Sequence, residues 1–402
     1  MRAFSLILWV VMGWTTWAQG SLLSKIFGGK QLRIIPGAER FDLYIPQIEW
    51  QNVAIVTNHS ALVGEHYDHH LVDTLLAMGV PIRKIFSPEH GFRGQAPAGW
   101  AVRNSVDEKT GLPVISLYGR KKAPSRQDLE GINVVLFDIQ DVGVRCFTYI
   151  STLYYVMEAC ARSGKKLIVL DRPNPNIHYV DGPTLDTNGY RSFVGMFPIP
   201  MVYGMTIGEL AQMINGEYWL PDSLQSRLEV IPIANYSRTH RYVVPVPPSP
   251  NLRTMAAIYL YPSLVFFEPT EISVGRGTMV PFEIFGRPGF PIKDTVFVPQ
   301  SMSWAPRPKY LYDTCQGVIA RRFAQDIAEK GGIHIEWLIS AYQYSDHPNR
   351  FFEVPDFFDK LAGTGDLRKQ IRALQSPEAI RASWKQGIEL FKKRREKYLI
   401  YP

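Results

Sequence analysis

The sequence has 402 residues, of which 46% are hydrophobic and 20% are charged, and 44 basic against 37 acidic side chains leave a net charge of +7. This composition excludes a disordered or fibrous chain and predicts a globular protein of two domains, or three. The 30 prolines predict many rigid loops. No internal repeat or low-complexity tract is present.

The positive charge is concentrated in one stretch. Residues 381–397 contain seven basic and two acidic side chains, a net charge of +5. Without residues 1–20, in which Arg2 is the one charged residue, the chain has a net charge of +6, so +1 is left for everything else. A solvated helix face is the usual role of such a stretch. The charge therefore does not indicate a nucleic-acid partner.

The N-terminus has the pattern of a secretory signal peptide. Arg2 gives a positive start, residues 3–12 are almost wholly apolar, and Thr16 and Ala18 are small residues suited to signal peptidase. A bilayer span needs about 20 apolar residues, so the apolar run is too short to be a membrane anchor. We expect residues 1–20 to be removed and the protein to be periplasmic or secreted, without an integral membrane segment.

Short apolar runs alternate with helical patterns in the first half of the chain. Apolar residues at helical spacing predict helices over residues 68–78 and 148–162. Continuous β-branched runs between helices indicate a parallel sheet that is covered on both faces. We therefore expect a Rossmann-like, doubly wound α/β domain over residues 21–200. Its predicted strands are residues 53–57, 82–86, 113–117, 134–138 and 167–170.

The second half is expected to form a smaller α/β or α+β domain over residues 201–402. A capping box at Thr206 and Glu209 starts a helix, and residues 228–233 form a predicted strand. A last helix begins at Ser376 and places four apolar side chains on one face: Ile380, Trp384, Ile388 and Phe391.

Polar side chains follow four of the predicted strands, and in an open parallel sheet ligands bind outside the carboxyl ends of the strands. We therefore expect a site at this edge. Structural roles compete for several of these residues, because Glu89 can pair with Arg93, Asp141 with Arg145, and Asp171 with Arg172. In chain order the side chains are Asn58, Glu89, His90, Arg93, Asp138, Asp141, Arg145, Asp171, Arg172 and Asn174.

Cofactor and metal motifs are missing from the sequence. There is no dinucleotide, P-loop, GxSxG or HExxH pattern, so we expect no cofactor. His66 and His70 have the spacing of a helical metal pair, but they lack a clear third ligand, which favours a solvated helix start and no metal. Cys146, Cys160 and Cys315 have no metal-like spacing, and buried free thiols are favoured over a disulfide.

Several long motifs together resemble one family, the bacterial exo-acting β-N-acetylmuramidases, which form a glycoside hydrolase family formerly described as a domain of unknown function. The resemblance covers nearly the whole mature chain. It implies a Rossmann-like domain joined to a second α/β domain, with the active cleft between them. It also implies release of N-acetylmuramic acid from the non-reducing end of peptidoglycan fragments. The motifs include FSPEHGFRG (86–94), FDIQDVGVRCFTYISTL (137–153), VLDRPNP (169–175), PPSPNL (247–252) and SVGRGTMVPFE (273–283).

The resemblance makes Glu89 the expected general acid. The second catalytic group is left open between Glu268, Asp141 and the sugar's own 2-acetamido group, and with it the choice between inversion and retention. The chain departs from the family pattern at Glu271, where relatives commonly have asparagine. This adds a carboxylate near the expected site.

Muramic acid carries a lactyl carboxylate that glucosamine lacks, and a guanidinium is the group that recognises such a carboxylate in bidentate fashion. Arg93, Arg145, Arg172 and Arg276 are the candidates, and we favour Arg145 and Arg276. The expected partners are muropeptides or disaccharides from peptidoglycan. The remaining expected substrate-binding residues are Asn58, His90, Tyr149, Asn174 and Asn251.

Two other functions stay open. A non-catalytic receptor would bind cell-wall fragments in the same cleft. A metal-dependent hydrolase would use His90, Asp138 and Asp141 as ligands.

Overall fold

A seven-stranded sheet forms the centre of the fold in the computed structural model, which describes residues 32–94, 99–100 and 103–402. The predicted signal peptide lies outside these residues. Neighbouring strands are parallel except for an antiparallel pair at one edge. In spatial order the strands are Ser105–Val106 (β5), Pro113–Ser116 (β6), Ile82–Ser87 (β4), Val53–Thr57 (β1), Val134–Asp138 (β7), Lys166–Leu170 (β8) and Arg227–Ile231 (β9).

This topology confirms the Rossmann-like, doubly wound prediction. The chain runs outward from β1 to β4 and β6 and then returns to β7, which pairs with the other side of β1. Strand order therefore reverses between β1 and β7, where open α/β sheets bind ligands. Strand β9 lies beyond residue 200, so the sheet includes chain from both sides of the predicted boundary. Two short strands, Leu62–Val63 (β2) and His69–His70 (β3), form an antiparallel pair.

Helices cover both faces of the sheet. Every residue of β1 is buried, because Val53 and Ile55 belong to one apolar cluster while Ala54 and Val56 belong to another. Successive side chains of a strand point to opposite faces, which is why both faces need a cover and why the strand is continuously apolar. The helices of this part are Phe41–Ile48 (α1), Leu71–Ala77 (α2), Tyr149–Arg162 (α3) and Ile207–Gly216 (α4). The capping box of Thr206 and Glu209 is present at the start of α4.

The second, smaller domain contains a three-stranded antiparallel sheet among the described residues, with Cys315–Val318 (β12) between Phe285–Arg287 (β10) and Thr295–Phe297 (β11). The last helix buries three of the four apolar residues predicted to share one face, Ile380, Trp384 and Phe391, and the fourth, Ile388, is half-buried against the same core. The helices here are Met255–Leu264 (α5), Ala324–Lys330 (α6), Ile335–Gln343 (α7), Pro355–Ala362 (α8), Asp366–Arg372 (α9) and Pro377–Arg395 (α10).

Several charges of the basic stretch attach α10 to the rest of the fold. Arg381 pairs with Glu336 at 2.7 Å, and Lys397 pairs with Glu217 at 2.7 Å. Arg395 Nη1 donates to the carbonyl of Tyr203 at 3.0 Å. None of the described helices combines the length and apolar character that a membrane crossing needs. The three cysteines are buried and unpaired, as favoured from the sequence.

Arg145 joins the sheet domain to the second domain. Its side chain is completely buried and donates to four backbone carbonyls at 2.7–2.8 Å. Burial lowers the pKa of this guanidinium to about 10, so it stays charged near neutral pH. Two of the carbonyls end α8, where unpaired carbonyls carry partial negative charge. The four acceptors are Pro183, Ile199, Leu361 and Ala362.

This placement corrects the expectation that Arg145 recognises the lactyl carboxylate. The guanidinium has no access to a ligand, because the side chain is completely buried and four carbonyls of the protein accept hydrogen bonds from its two terminal nitrogens.

Replacement of Arg145 with methionine should lower the free energy of unfolding by about 3–5 kcal/mol, because buried carbonyls are left without donors. Urea unfolding followed by circular dichroism measures the change. Arg162→Met is the matched control, since Arg162 is 47% exposed and pairs at the surface, and its effect should be much smaller than that of Arg145→Met because exposed ion pairs contribute little to stability. Equal stabilities of the two variants would contradict the role given to Arg145.

Candidate active site

Glu89 lies in a tight turn directly after β4. The turn is closed by the Gly91 N–H, which donates to the Pro88 carbonyl at 3.1 Å. His90 occupies the third position with a φ of 70°, a conformation that usually falls to glycine or asparagine. His90 Nε2 lies 3.2 Å from Ser249 Oγ. Strained backbone conformations of this kind persist only where the surrounding structure enforces them, and they are found mainly at functional sites.

Both carboxylate oxygens of Glu89 accept hydrogen bonds. Oε1 accepts from the Gly99 N–H at 2.9 Å, and Oε2 accepts from Thr148 Oγ1 at 2.9 Å. These two donors hold the carboxylate in one orientation. Burial raises the pKa of the nearby Tyr118 hydroxyl, and the negative charge of Glu89 adds to this effect.

Lys122 adds a positive charge beside this carboxylate. Its ammonium lies 4.5 Å from the ring centroid of Tyr118 and 3.9 Å from that of Phe193. Burial lowers the pKa of Lys122, and the nearby Glu89 charge opposes that effect. The sequence reasoning missed Tyr118, Thr148 and Lys122. Tyr118 follows strand β6 at the same edge of the sheet as Glu89. Its position directly after a strand could therefore have identified it as a candidate site residue.

Glu89 lines a cavity of about 530 Å³, a volume typical of ligand sites. The sheet domain contributes Tyr118, Thr148 and Phe193 to its wall. The second domain contributes Glu268, Arg276 and residues 304–308. The cavity therefore lies between the two domains, where the resemblance places the active cleft.

Glu268 and Arg276 form a bidentate pair on the wall of this cavity. Arg276 Nε donates to Glu268 Oε1 at 2.9 Å, and Nη2 donates to Oε2 at 2.9 Å. The guanidinium also lies 5.1 Å from the ring centroid of Phe282. The pair fixes the direction of the Glu268 carboxylate.

A smaller cavity of about 70 Å³ adjoins the larger one beside Glu89. His90, Tyr149 and Asn251, all expected to bind substrate, line it. Six of the predicted site residues therefore come together around the two cavities: Glu89, His90, Tyr149, Asn251, Glu268 and Arg276.

Asn58, Asn174 and Arg172 serve the fold instead, which corrects their expected role in binding. Asn58 Nδ2 donates to the Tyr149 hydroxyl at 2.9 Å, and Asn174 Nδ2 donates to the Met205 carbonyl at 2.8 Å. Arg172 Nη2 bonds to Asp138 Oδ2 at 2.9 Å in a pair with almost no exposure. Their polar groups are turned inward to partners in the protein.

Two further charged residues lie outside the Glu89 cavity. Arg93 pairs with Asp107 at 2.8 Å and lines a neighbouring cavity. Glu271, the departure from the family pattern, lies 3.0 Å from Arg287 in an ion pair and is not among the residues that line the Glu89 cavity.

Asp141 is also buried, with 4% of its surface exposed, and it lines neither cavity. Its Oδ2 accepts from the Gly143 N–H at 2.7 Å and from the Tyr203 hydroxyl. Burial outweighs these bonds and raises the pKa of Asp141 to about 6. Gly143 has a φ of 74°, and a Cβ there would lie 2.2 Å from Asn174 Nδ2, so this loop requires glycine.

The metal ligands considered from the sequence are not assembled in the described residues. His70 belongs to β3 and caps α2, since its Nδ1 accepts from the Val72 N–H at 3.2 Å, so His66 and His70 do not share a helix. Asp138 is occupied by Arg172. In residues 32–94, 99–100 and 103–402, no three His, Cys, Asp or Glu side chains are grouped so that they could hold a metal ion.

Two domains that enclose a cavity with a glutamate from each supply the pair of carboxylates that a glycosidase uses. Residues 53–256 match the N-terminal domain, and residues 259–401 the C-terminal domain, of the family described as Exo-beta-N-acetylmuramidase NamZ. The chain belongs to this family. It is 36% identical to Peptidoglycan beta-N-acetylmuramidase NamZ of Bacillus subtilis, over 98% of this chain and 97% of that protein.

Solved structures support the same assignment. A DUF1343 family protein from Bacteroides fragilis is 44% identical, with a TM-score of 0.84 over 92% of this chain and 99% of that chain. A second DUF1343 family protein from that organism is 29% identical, with a TM-score of 0.78 over 93% of this chain and 100% of that chain. The family and the α/β fold expected from the sequence are confirmed.

The raised pKa of Asp141 predicts a pH-dependent stability. The ordinary pKa of 3.8 applies to the unfolded chain, and the folded value is about 6, so the folded state keeps a proton that the unfolded state has lost. The free energy of unfolding should therefore fall as pH rises through this interval. Relative to Asp141→Asn, the wild type should lose about 2 kcal/mol between pH 4 and pH 7.

Urea unfolding of both proteins across this range measures the difference, and parallel pH curves would contradict it. The same variant tests catalysis. If Asp141 only stabilises the loop, the Asp141→Asn variant should keep the wild-type kcat. A hundredfold lower kcat in a stably folded variant would instead show that Asp141 takes part in catalysis.

Proposed function

We propose that this glycosidase is exported and that it releases N-acetylmuramic acid from the non-reducing end of peptidoglycan fragments, with Glu89 as the general acid. The observation that carries the proposal is the position of Glu89 and Glu268 on one cavity between the domains. The relative from Bacillus subtilis is named for action on peptidoglycan, which supports the substrate class. The signal-like residues 1–20 support export to the periplasm or beyond.

In the proposed reaction the Glu89 proton passes to the glycosidic oxygen as the bond between that oxygen and the anomeric carbon breaks. Positive charge then develops on the sugar ring. Gly99 and Thr148 hold the carboxyl group in position for this transfer.

Glu268 is the proposed second group. Both of its oxygens accept hydrogen bonds from Arg276, an arrangement that suits a carboxylate that stabilises positive charge and orients the attacking group. If water attacks the anomeric carbon, Glu268 accepts the proton that the water loses. If the 2-acetamido oxygen attacks, water then opens the cyclic intermediate and its proton returns to the ionised Glu89.

Glu89→Gln should lower kcat by about 10²–10⁴-fold on a chromogenic β-N-acetylmuramide, because an amide cannot donate the catalytic proton. Binding of N-acetylmuramic acid, measured by calorimetry, should change little. Glu130→Gln is the control, since Glu130 is exposed and lies outside the cavity.

A wild-type protein that binds the sugar without hydrolysing the muramide would instead be a receptor. Loss of activity after exhaustive chelation, restored by added metal, would support the metal-dependent alternative.

Two guanidinium groups on the cavity wall are placed to meet a lactyl carboxylate. Arg276 is one, although Glu268 already occupies two of its nitrogen atoms. Arg307 is the other: it is exposed between Pro306 and Pro308 and makes no ion pair with any residue that the structure describes. Arg307 was not among the sequence candidates. We propose that it recognises the lactyl group, because its donors are available.

Arg307→Ala should weaken inhibition by N-acetylmuramic acid by about 10- to 100-fold, the effect of losing a charge-assisted hydrogen bond. Inhibition by N-acetylglucosamine, which lacks the lactyl group, should change less than about threefold. Arg322→Ala, at a side chain that is 58% exposed elsewhere on the second domain, is the matched control. Equal weakening of both sugars would show that Arg307 does not discriminate between them.

A further inference from the structure

We propose that the smaller cavity beside Glu89 is the subsite for the 2-acetamido group of the sugar and that Asn251 is the residue that recognises it. The inference rests on the proposed function, since it assumes an N-acetylated sugar in the adjoining cavity. We call this smaller cavity the inner pocket. Its lining includes His90, Phe147, Tyr149, Asn251, Leu252 and Phe282, none of which lines the larger cavity.

Asn251 is a buried amide with no partner for its side chain. It is 2% exposed, and neither Nδ2 nor Oδ1 has a hydrogen-bond partner in the part of the protein that the structure describes. Its backbone is nevertheless held firmly, since its N–H donates to Ser249 Oγ at 3.3 Å. Buried polar atoms are normally satisfied, and an exception in a cavity wall points to a ligand.

The chemistry of Asn251 matches an acetamido group. An asparagine side chain offers N–H donors and a carbonyl acceptor close together, and an acetamido group offers one carbonyl and one N–H. The two groups can therefore pair through two hydrogen bonds. A hydroxyl in place of the acetamido group would leave at least one Asn251 atom unpaired.

The other walls of the inner pocket suit the methyl end of the same group. Tyr261 meets Phe147 and Phe282 edge to face, with ring centroids 6.1 Å and 5.1 Å apart. Leu252 and Cys146 add further apolar surface. A methyl group packed against these side chains is removed from water, which favours binding.

Size and position agree with a substituent rather than a whole sugar. The inner pocket measures about 70 Å³, far below the range of about 300–1,000 Å³ for complete ligand sites. It shares Glu89, Thr148 and Arg276 with the larger cavity. A sugar ring in the larger cavity with its 2-substituent in the inner pocket would have its anomeric carbon, one bond from the substituted carbon, close to Glu89.

Other polar side chains of the inner pocket are already engaged. The Tyr149 hydroxyl donates to the Pro248 carbonyl at 3.0 Å and accepts from Asn58 Nδ2. Ser249 Oγ bonds to His90. Recognition of an amide in this pocket therefore falls to Asn251.

The test compares binding of two sugars by calorimetry: N-acetylmuramic acid and its analogue with a hydroxyl in place of the 2-acetamido group. The wild type should bind the N-acetylated sugar about 10- to 100-fold more tightly, the effect of two neutral hydrogen bonds. Asn251→Ala and the similarly sized Asn251→Leu should lose this preference while binding of the hydroxyl analogue stays within about threefold. Asn188→Ala, at an exposed asparagine, is the control.

The outcomes separate the inference from the proposed function. Hydrolysis of a β-N-acetylmuramide together with equal wild-type binding of both sugars would overturn the subsite and leave the function intact. An Asn251-dependent preference without hydrolysis would support the subsite and overturn the function. If Asn251→Ala and Asn251→Leu fold but lose affinity for both sugars equally, Asn251 supports the wall rather than the acetamido group. The wild-type comparison needs no variant, so a variant that fails to fold does not remove the test.

Discussion

The buried guanidinium of Arg145 is the constraint on which the cavity depends. It draws together the loop after β7, residues 183 and 199, and the end of α8. Cys146, the next residue, lines the cavity, and Phe357 and Leu361 of α8 line it from the second domain. None of the described carboxylates forms an ion pair with Arg145, so the dipoles of the four carbonyls compensate its charge. The two walls of the cleft are therefore positioned by one buried cation.

At the edge of the sheet, the charged side chains that stabilise the fold are buried, whereas the proposed general acid is only half-buried. Asp138 ends strand β7, whereas Asp141, Arg145 and Arg172 follow strands, and all four are buried and bonded to protein partners. Glu89 remains half-buried on the cavity wall with its donors arranged around it. The Asn251 amide, which has no hydrogen-bond partner among the described residues, lines the space that the sugar substituent would occupy. A stable fold needs partners for its buried polar groups, and a site for a polar ligand needs polar groups that are left for the ligand.

The sheet could be predicted from the sequence because strands buried on both faces must be continuously apolar, as β1 and β7 are. Glu89 and Glu268 could be found from motifs. The role of Arg145 could not, since two of its acceptors lie 216 and 217 residues away in the chain. Likewise, the sequence pattern of an arginine after a strand is the same whether its side chain pairs inside the protein, as that of Arg172 does, or faces a ligand. The sequence could not single out Arg307, because what distinguishes this side chain is that it forms no ion pair with any residue that the structure describes.

The most direct test of the account is a crystal structure of Glu89→Gln with an intact N-acetylmuramyl-N-acetylglucosamine disaccharide. We expect the glycosidic oxygen to lie within about 2.6–3.2 Å of the carboxamide at position 89. The muramic acid ring should fill the larger cavity between the domains, with Glu268 on its wall. A disaccharide bound outside this cavity, or one whose glycosidic oxygen lies beyond hydrogen-bond reach of position 89, would contradict the central claim.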